Sequence, residues 1–321
     1  MPSQVETKTD FEKEVIQGLT DSPKHLSSKY FYDAIGDKLF QDIMAMPEYY
    51  LTNCEYEILA THKEQFRLLF DHQEGFDLIE LGAGDGKKTK LLLEHFNKQG
   101  TDFTYLPIDI SQHVLDTLET AVHSELPGVN IRTQQGTYFE VLEQIATFNS
   151  RKKVILFLGS NIGNLLHEQA VDFLKKIEAI MNDEDMLLIG FDQKKNPQTI
   201  LDAYNDQTGI TAAFNKNILS RINTELNGDF DLDQFLHWEV YDPETGTAKS
   251  YLVSKIAQQV RIKNLDLNIH FNAWETIHTE ISQKYDDAVV TWLASEAGLQ
   301  ITHQLTDDRH YYKNYIFQKN V

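Results

Sequence analysis

The sequence predicts an α/β protein: a doubly wound parallel sheet with a second, α+β lobe. Two observations carry this. Between residues 76 and 192, short apolar runs of strand length alternate with amphipathic helical stretches, the pattern of parallel strands buried on both faces. After Asp192 that rhythm changes, and broken helical segments give way to antiparallel strand signals.

The region before residue 60 is mostly helical and rich in aromatics. At residue 76 the alternation begins: "FDLIELG" is an apolar run ending in glycine, and "KKTKLLLEHFNKQ" is helical. Strand "FTYLPID" and helix "SQHVLDTLETAVHSEL" come next, then strand "VNIRTQQG" and a helix near "FEVLEQIATF". Strand "KKVILFLGS", helix "HEQAVDFLKKIEAIM" and strand "DMLLIGFD" complete the run. Beyond it, "NPQTILDAYNDQTGITAAFNKNILSRINTEL" predicts helical segments broken at "DQTG". The stretch from "FLHWEVYDPETGTAKSYLVSKIAQQVRI" to "LDLNIHF" predicts antiparallel strands with a turn at "PETG". Helix "DDAVVTWLASEAG" leads into a closing hairpin, "LQITHQLTD" with "YYKNYIFQK". Neither the N-terminal segment nor the insertion makes a complete domain alone, so the two are expected to form one lobe. The expected division is a core of residues 55–192 plus 279–321 and a lobe of residues 1–54 plus 193–278.

Composition excludes several classes. A chain of 321 residues with 41% hydrophobic content can bury a large core. Its net charge of −20 repels phosphate backbones and anionic membrane surfaces, which argues against nucleic acid and membranes as partners. The single cysteine, Cys54, excludes an intramolecular disulfide and any multi-cysteine metal site; no metal is expected. The start, "MPSQVETKTDFEKEV", is charged and mixed in sign, unlike a secretory signal. The apolar runs "VILFLG" and "MLLIGF" are far too short to span a bilayer. A cytoplasmic monomer acting on a small molecule is the expectation.

The first strand of the alternation ends in "IELGAGDGKKT". Gly82 and Gly84 permit a tight turn and close backbone approach of a nucleotide-like ligand at a helix N-terminus. A dinucleotide dehydrogenase would carry a third glycine at position 87, where this chain has Lys87. Instead an acid, Glu80, precedes the glycines, and Asp109 ends the next strand, placed to accept from the two hydroxyls of a ribose. This set resembles the S-adenosylmethionine site of class I methyltransferases. Lys88 either reaches the methionine carboxylate of that cofactor or is a solvated lysine at a helix start. The fourth strand ends in "LFLGSNIGNL", where glycines flank a polar loop and Asn161 and Asn164 offer neutral amides. Amine methylation needs an unprotonated nucleophile held in line with the methyl group, so positioning is the main requirement and a strong base is not.

In "KYFYDAIGDKLFQDIMAMPEYYLTNCEYEIL", Tyr30, Tyr32, Tyr49, Tyr50 and Tyr56 crowd together with Phe31 and Phe40. Such density usually fills a core, and several of these rings can also line a pocket for a flat substrate. Near the end, "HTEISQKY" alternates like a half-buried strand. Glu280 and Ser282 fall on one side of it, either as polar outer face or as one wall of a pocket.

The aromatic segment, "IELGAGDGKKTKLLL", "YLPIDIS", "FLGSNIGNL", "AYNDQTGITAAFNKNIL…RINTEL…DFDLDQF" and "TEISQKY" together resemble the histidine-specific methyltransferase family. The likeness runs from about residue 20 to the C-terminus with the motifs in family order. It implies a class I (Rossmann-like) methyltransferase core with an α+β substrate-binding lobe. It also implies the family's best-known activity, S-adenosylmethionine-dependent trimethylation of the α-amine of L-histidine to hercynine, used for ergothioneine.

Residue by residue, the resemblance implies that Asn164 and Tyr204 hold the substrate carboxylate and that Tyr32 sits near the amine as the catalytic group. Tyr49 would face the imidazole, Phe40 would add apolar wall, and Gly159 would leave room. Glu80, Gly82, Gly84, Lys88 and Asp109 match cofactor positions. Thr137 and Tyr138 fall where an acid and an aromatic usually meet the adenine, so Thr137 is a departure. Glu280 and Ser282 fall on the imidazole-binding pair: a neutral imidazole has one N–H donor and one acceptor nitrogen, which a carboxylate and a hydroxyl satisfy. Ser250 occupies a position where histidine-specific members carry a methionine. Serine there would enlarge the pocket or admit water, and relatives methylate tryptophan-type amino acids instead. A non-catalytic amino-acid or cofactor binding module is the alternative from another class, disfavoured by the intact "GAGDG", Asp109 and "GSNIGN". A nicotinamide-dependent oxidoreductase is disfavoured by Lys87.

Overall fold

Runs of consecutive buried residues form the strands at the centre of the fold. In the computed structural model, which describes residues 8–148 and 151–320, strands Phe76–Leu81, Lys152–Phe157 and Met186–Asp192 are buried at every position. That is what helices on both faces of a sheet require, and it explains why these strands are apolar without alternation. The first seven residues of the charged start lie outside the described residues. The chain divides into two units, Met1–Tyr50 with Lys195–Ser282 and Leu51–Lys194 with Gln283–Val321.

The second unit is built on an eight-stranded sheet. Its order is Leu299–Thr306, Tyr312–Lys319, Met186–Asp192, Lys152–Phe157, Phe76–Leu81, Phe103–Asp109, Asn130–Ile131, with Gln134–Gln135 also pairing Phe103–Asp109. The strands from Met186–Asp192 to Asn130–Ile131 pair in parallel, and Tyr312–Lys319 runs antiparallel to both its neighbours. From Phe76–Leu81 the chain first winds one way, then crosses to Lys152–Phe157 on the other side. The strand order therefore reverses at Leu81 and Phe157, where an open α/β sheet leaves a crevice for ligands. One expectation is corrected. "VNIRTQQG" forms two two-residue strands rather than one continuous strand: Asn130–Ile131 and Gln134–Gln135 each pair with Phe103–Asp109, and Arg132 and Thr133 between them belong to no strand.

The first unit holds a four-stranded sheet in the order Lys24–His25, Thr276–Gln283, Thr247–Ser254, Phe235–Asp242. A separate antiparallel pair is formed by Gln258–Ile262 and Leu267–Phe271. Helices Pro197–Tyr204 and Ile210–Leu226 are separated at "DQTG", as the sequence predicts. Asp206 makes the break, its carboxylate accepting the amides of Ile210 at 3.0 Å and Thr211 at 2.8 Å, while Gly209 takes φ 81°. Among the described residues no helix is long and apolar enough to cross a membrane.

A buried ion pair sets the start of two central strands. Lys153 Nζ lies 2.7 Å from Asp185 Oδ2, with side chains 2% and 1% exposed. Asp185 also accepts the amides of Lys153 and Asn182, each at 2.6 Å. Asp185→Ala leaves an ammonium buried without its partner and is expected to cost about 3–5 kcal/mol, read from the urea midpoint.

Candidate active site

Gly82 continues the backbone beyond Leu81 with φ 72°, and its amide donates to Ile108 O at 2.9 Å. A Cβ on Gly82 would lie 2.6 Å from the Tyr138 hydroxyl, so a side chain there would displace the tyrosine. Gly84, with φ 53°, faces open space. The result is bare backbone at the carboxyl edge of the sheet where the strand order reverses. Glu80, one residue before the end of the strand, is buried and accepts from Thr89 Oγ1 at 2.6 Å and from the Tyr105 hydroxyl. Burial pushes its carboxyl up to about 7 despite those two donors.

Asp109 ends the neighbouring strand, half-buried, with Oδ1 accepting the Ser111 amide at 2.9 Å. The Gly136 amide donates to Asp109 O at 3.1 Å and brings "QGTY" to this strand end. Tyr138 packs its ring on Phe157 at 6.0 Å, and burial, then the Asp109 charge, pushes its phenol up to about 12. Gly82, Asp109 and Tyr138 thus come together. Thr137 turns its hydroxyl to Glu140 at 2.6 Å, at the start of helix Tyr138–Phe148. Open glycine backbone, a strand-end carboxylate and an aromatic ring fit a cofactor with ribose and base.

The loop after Lys152–Phe157 is held tightly. Gly159 has φ 77°, and Ser160, at φ 57°, is a buried non-glycine residue in the left-handed region, costing on the order of 1 kcal/mol. The Ser160 hydroxyl accepts the Asp192 amide at 3.2 Å, and the Tyr285 hydroxyl donates to Ile162 O at 3.1 Å. Asn161 lies within 4 Å of where a Cβ would stand on either Gly82 or Gly159, whereas Asn164 is exposed. Lys88 stands at the start of helix Thr89–Lys98 with its side chain 22% exposed. It pairs with Glu55, a fully buried carboxylate on helix Tyr50–Phe70 that no motif reading singled out. The neighbouring thiol, Cys54, is buried beside Arg309 Nη2 at 3.1 Å and pushed up to about 12 by burial, so it is no nucleophile.

In the first unit an aromatic series forms. Tyr32 lies 5.5 Å from Phe40, Phe40 lies 6.4 Å from Tyr49, and Tyr49 lies 6.1 Å from Tyr204. Phe214, missed from sequence because its helix reads as ordinary core, touches both Tyr32 and Phe40. Tyr30 packs instead on Phe11. Asp33 caps helix Ala34–Ala45 through the amides of Ile35 and Gly36 and accepts Asn217 Nδ2 at 2.9 Å, which fixes the backbone next to half-exposed Tyr32. The Tyr204 and Ser282 hydroxyls are 2.8 Å apart and buried, and His237 Nε2 meets Tyr204 O at 2.9 Å. Burial holds His237 below the usual histidine range, so the ring is neutral and donates to that carbonyl. Glu280 is half-buried on the same strand, two residues before Ser282. Ser250 is 2% exposed, and its hydroxyl donates to Glu239 Oε2 at 2.6 Å.

Residues 11–319 match the model of a family described as histidine-specific methyltransferase, SAM-dependent. The chain belongs to this family. It is an S-adenosylmethionine-dependent amino-acid N-methyltransferase with the class I, Rossmann-like sheet described above. It is 38% identical over 296 residues to the histidine N-alpha-methyltransferase of Mycolicibacterium smegmatis, covering 92% of this chain and 90% of that one. The Mycobacterium tuberculosis protein of the same name is 35% identical over 92% of this chain and 91% of its own. A more distant relative is the 4-dimethylallyltryptophan N-methyltransferase of Claviceps fusiformis, 26% identical over 89% of this chain and 86% of that one.

Two tests of the second unit follow from its charges. Because burial raises Glu80, the stability this residue contributes is full below about pH 4.5 and is lost as pH rises through about 7. Glu80→Gln should flatten that loss, gaining on the natural protein by about 3 kcal/mol between pH 4.5 and 8 in parallel urea titrations. Lys88→Met strips the cation from buried Glu55 and should cost about 2–4 kcal/mol in the same measurement at pH 7.

Proposed function

We propose that the protein transfers three methyl groups in sequence from S-adenosylmethionine to the α-amine of L-histidine, giving hercynine. The observation that carries the histidine assignment is the buried hydroxyl pair of Tyr204 and Ser282, with Glu280 two residues away on the same strand. A hydroxyl can donate to an acceptor nitrogen of a ring and a carboxylate can take a ring N–H, so Ser282 and Glu280 are the two group types that a neutral imidazole answers. A site built on such bonds disfavours a ring that lacks the groups to answer them.

The cofactor supplies an electrophilic methyl on a sulfonium. The protein's part is to bring an uncharged amine into line with it, at an effective concentration worth up to about 7–11 kcal/mol. In each round a C–S bond breaks, a C–N bond forms and one proton leaves the amine while it still carries one. Tyr32 is proposed beside the amine, Tyr49 and Phe40 against the imidazole, and Tyr204 and Asn164 at the carboxylate. Gly82, Gly84, Lys88, Asp109, Thr137 and Tyr138 are proposed for the cofactor. Ser250, at the position read as methionine in histidine-specific relatives, gives its hydroxyl to Glu239, and this departure bears on how strictly histidine is preferred.

Purified protein with methyl-labelled cofactor and each of the twenty amino acids should label histidine preferentially. Preferred labelling of tryptophan or any other amino acid removes the histidine assignment and keeps the reaction class. Glu280→Ala should raise the KM for histidine about 10–100-fold, the worth of a hydrogen bond to a charged group, and leave S-adenosylhomocysteine affinity unchanged. Asp109→Ala should do the reverse.

A further inference from the structure

Glu55 has no exposed surface and lies on a helix outside every glycine motif. Its Oε2 accepts the Gly159 amide at 2.8 Å and pairs with the Lys88 ammonium. Its Oε1 accepts the Tyr312 hydroxyl at 3.1 Å and Asn314 Nδ2 at 3.2 Å. Four donors fill a carboxylate's capacity of about four lone-pair sites. The backbone makes room for it, since a Cβ on Gly190 would stand 2.2 Å from Oε1 and 2.3 Å from the Tyr312 hydroxyl.

Stability does not account for such an arrangement. Desolvating a carboxylate and an ammonium offsets most of their attraction, and packed apolar side chains often do as well. What the four bonds add is geometry. Tyr312 and Asn314, on a strand of the closing hairpin, hold one oxygen still. The other oxygen then ties two turns together: Lys88 at the start of helix Thr89–Lys98, and Gly159 just beyond Lys152–Phe157. These turns lie on either side of the point where the strand order reverses.

We propose that Glu55 is a positioning residue for methyl transfer, its carboxylate fixing the separation of the glycine turn that carries Lys88 from the loop that opens at Gly159. The proposal rests on the cofactor and substrate roles given to those two turns. It also assigns Lys88 a different character. Paired with Glu55, the ammonium contributes a fixed donor direction rather than a free positive charge.

The test uses Glu55→Gln, which keeps the shape but turns two donors onto neighbouring donors, and Tyr312→Phe, which removes one donor to Oε1. Three quantities are measured: calorimetric affinity for S-adenosylhomocysteine, kcat with both substrates saturating, and amide hydrogen exchange over residues 84–90 and 158–164. Glu55→Gln is expected to weaken cofactor affinity and lower kcat by about tenfold or more each, the scale of a small misplacement of reacting groups. Exchange should accelerate in those two segments and stay unchanged in the strands. Tyr312→Phe should move all three the same way by about two- to fivefold. Natural affinity, kcat and exchange in either folded variant overturn the proposal, and if Glu55→Gln does not fold, Tyr312→Phe decides by the same criteria. Asp109→Ala separates this outcome from the cofactor reading. Loss of affinity there with none in Glu55→Gln overturns the role of Glu55 alone, whereas full affinity in Asp109→Ala overturns the cofactor reading with it.

Discussion

A carboxylate taken out of water must find donors, and the second unit supplies them three times around the carboxyl ends of its parallel strands. Glu80 accepts from Thr89 and Tyr105, Asp192 pairs with the fully buried Lys284 at 2.9 Å, and Glu55 accepts from Gly159, Lys88, Tyr312 and Asn314. The donors come from segments far apart in the chain, so the loops at this edge cannot be placed independently of one another. A strained residue such as Ser160 is tolerated there because its neighbours on both sides are already tied. The open backbone at Gly84 is what this rigid frame leaves free.

The alternation from residue 76 to 192, the glycine turn with Asp109, the break at "DQTG" and the closing hairpin are all legible in the sequence because each is local. Apolar runs, glycine and capping acids act within a few residues of themselves. What escapes is what depends on distance. Glu55 sits in "CEYEILATHKEQF" as one acid among several on an amphipathic helix, and nothing nearby tells that it points inward to Asn314, 259 residues further on. The third strand fails for the opposite reason. At the end of the parallel ladder, "VNIRTQQG" has too little apolar content to bury both faces, so only two short pieces pair.

Alternation alone also leaves open which face is inside. In "FLHWEVYD" the apolar residues Leu236, Trp238 and Val240 look like the core, yet they are 40%, 52% and 39% exposed. Phe235, His237 and Glu239 are buried instead. A one-residue choice of face moves the whole set, and the partners that decide it lie on other elements. The candidate site residues divide in the same way. Those on glycine turns could be identified from type and spacing, while Glu239 and Phe214 acquire meaning only from their neighbours.

The buried face that results in the first unit is unusually polar for a sheet covered by helices. Thr279 donates toward Asn215 at 2.9 Å and Ser250 O at 3.1 Å, Ser250 donates to Glu239, and His237 holds Tyr204 O. Each such bond nets about 1 kcal/mol after desolvation, while a buried leucine or valine in the same place contributes about 1.5–3 kcal/mol without needing a partner. A sheet selected for stability alone would carry the apolar residues on this side and the polar ones outside. The chain does the reverse, with tryptophan in solvent and a glutamate in the interior. Although His237 Nδ1 stays buried with no hydrogen-bond partner, such an interior fixes the direction of the donors and acceptors that it bonds. That is the property a selector for a hydrogen-bonding side chain needs and a purely apolar wall lacks.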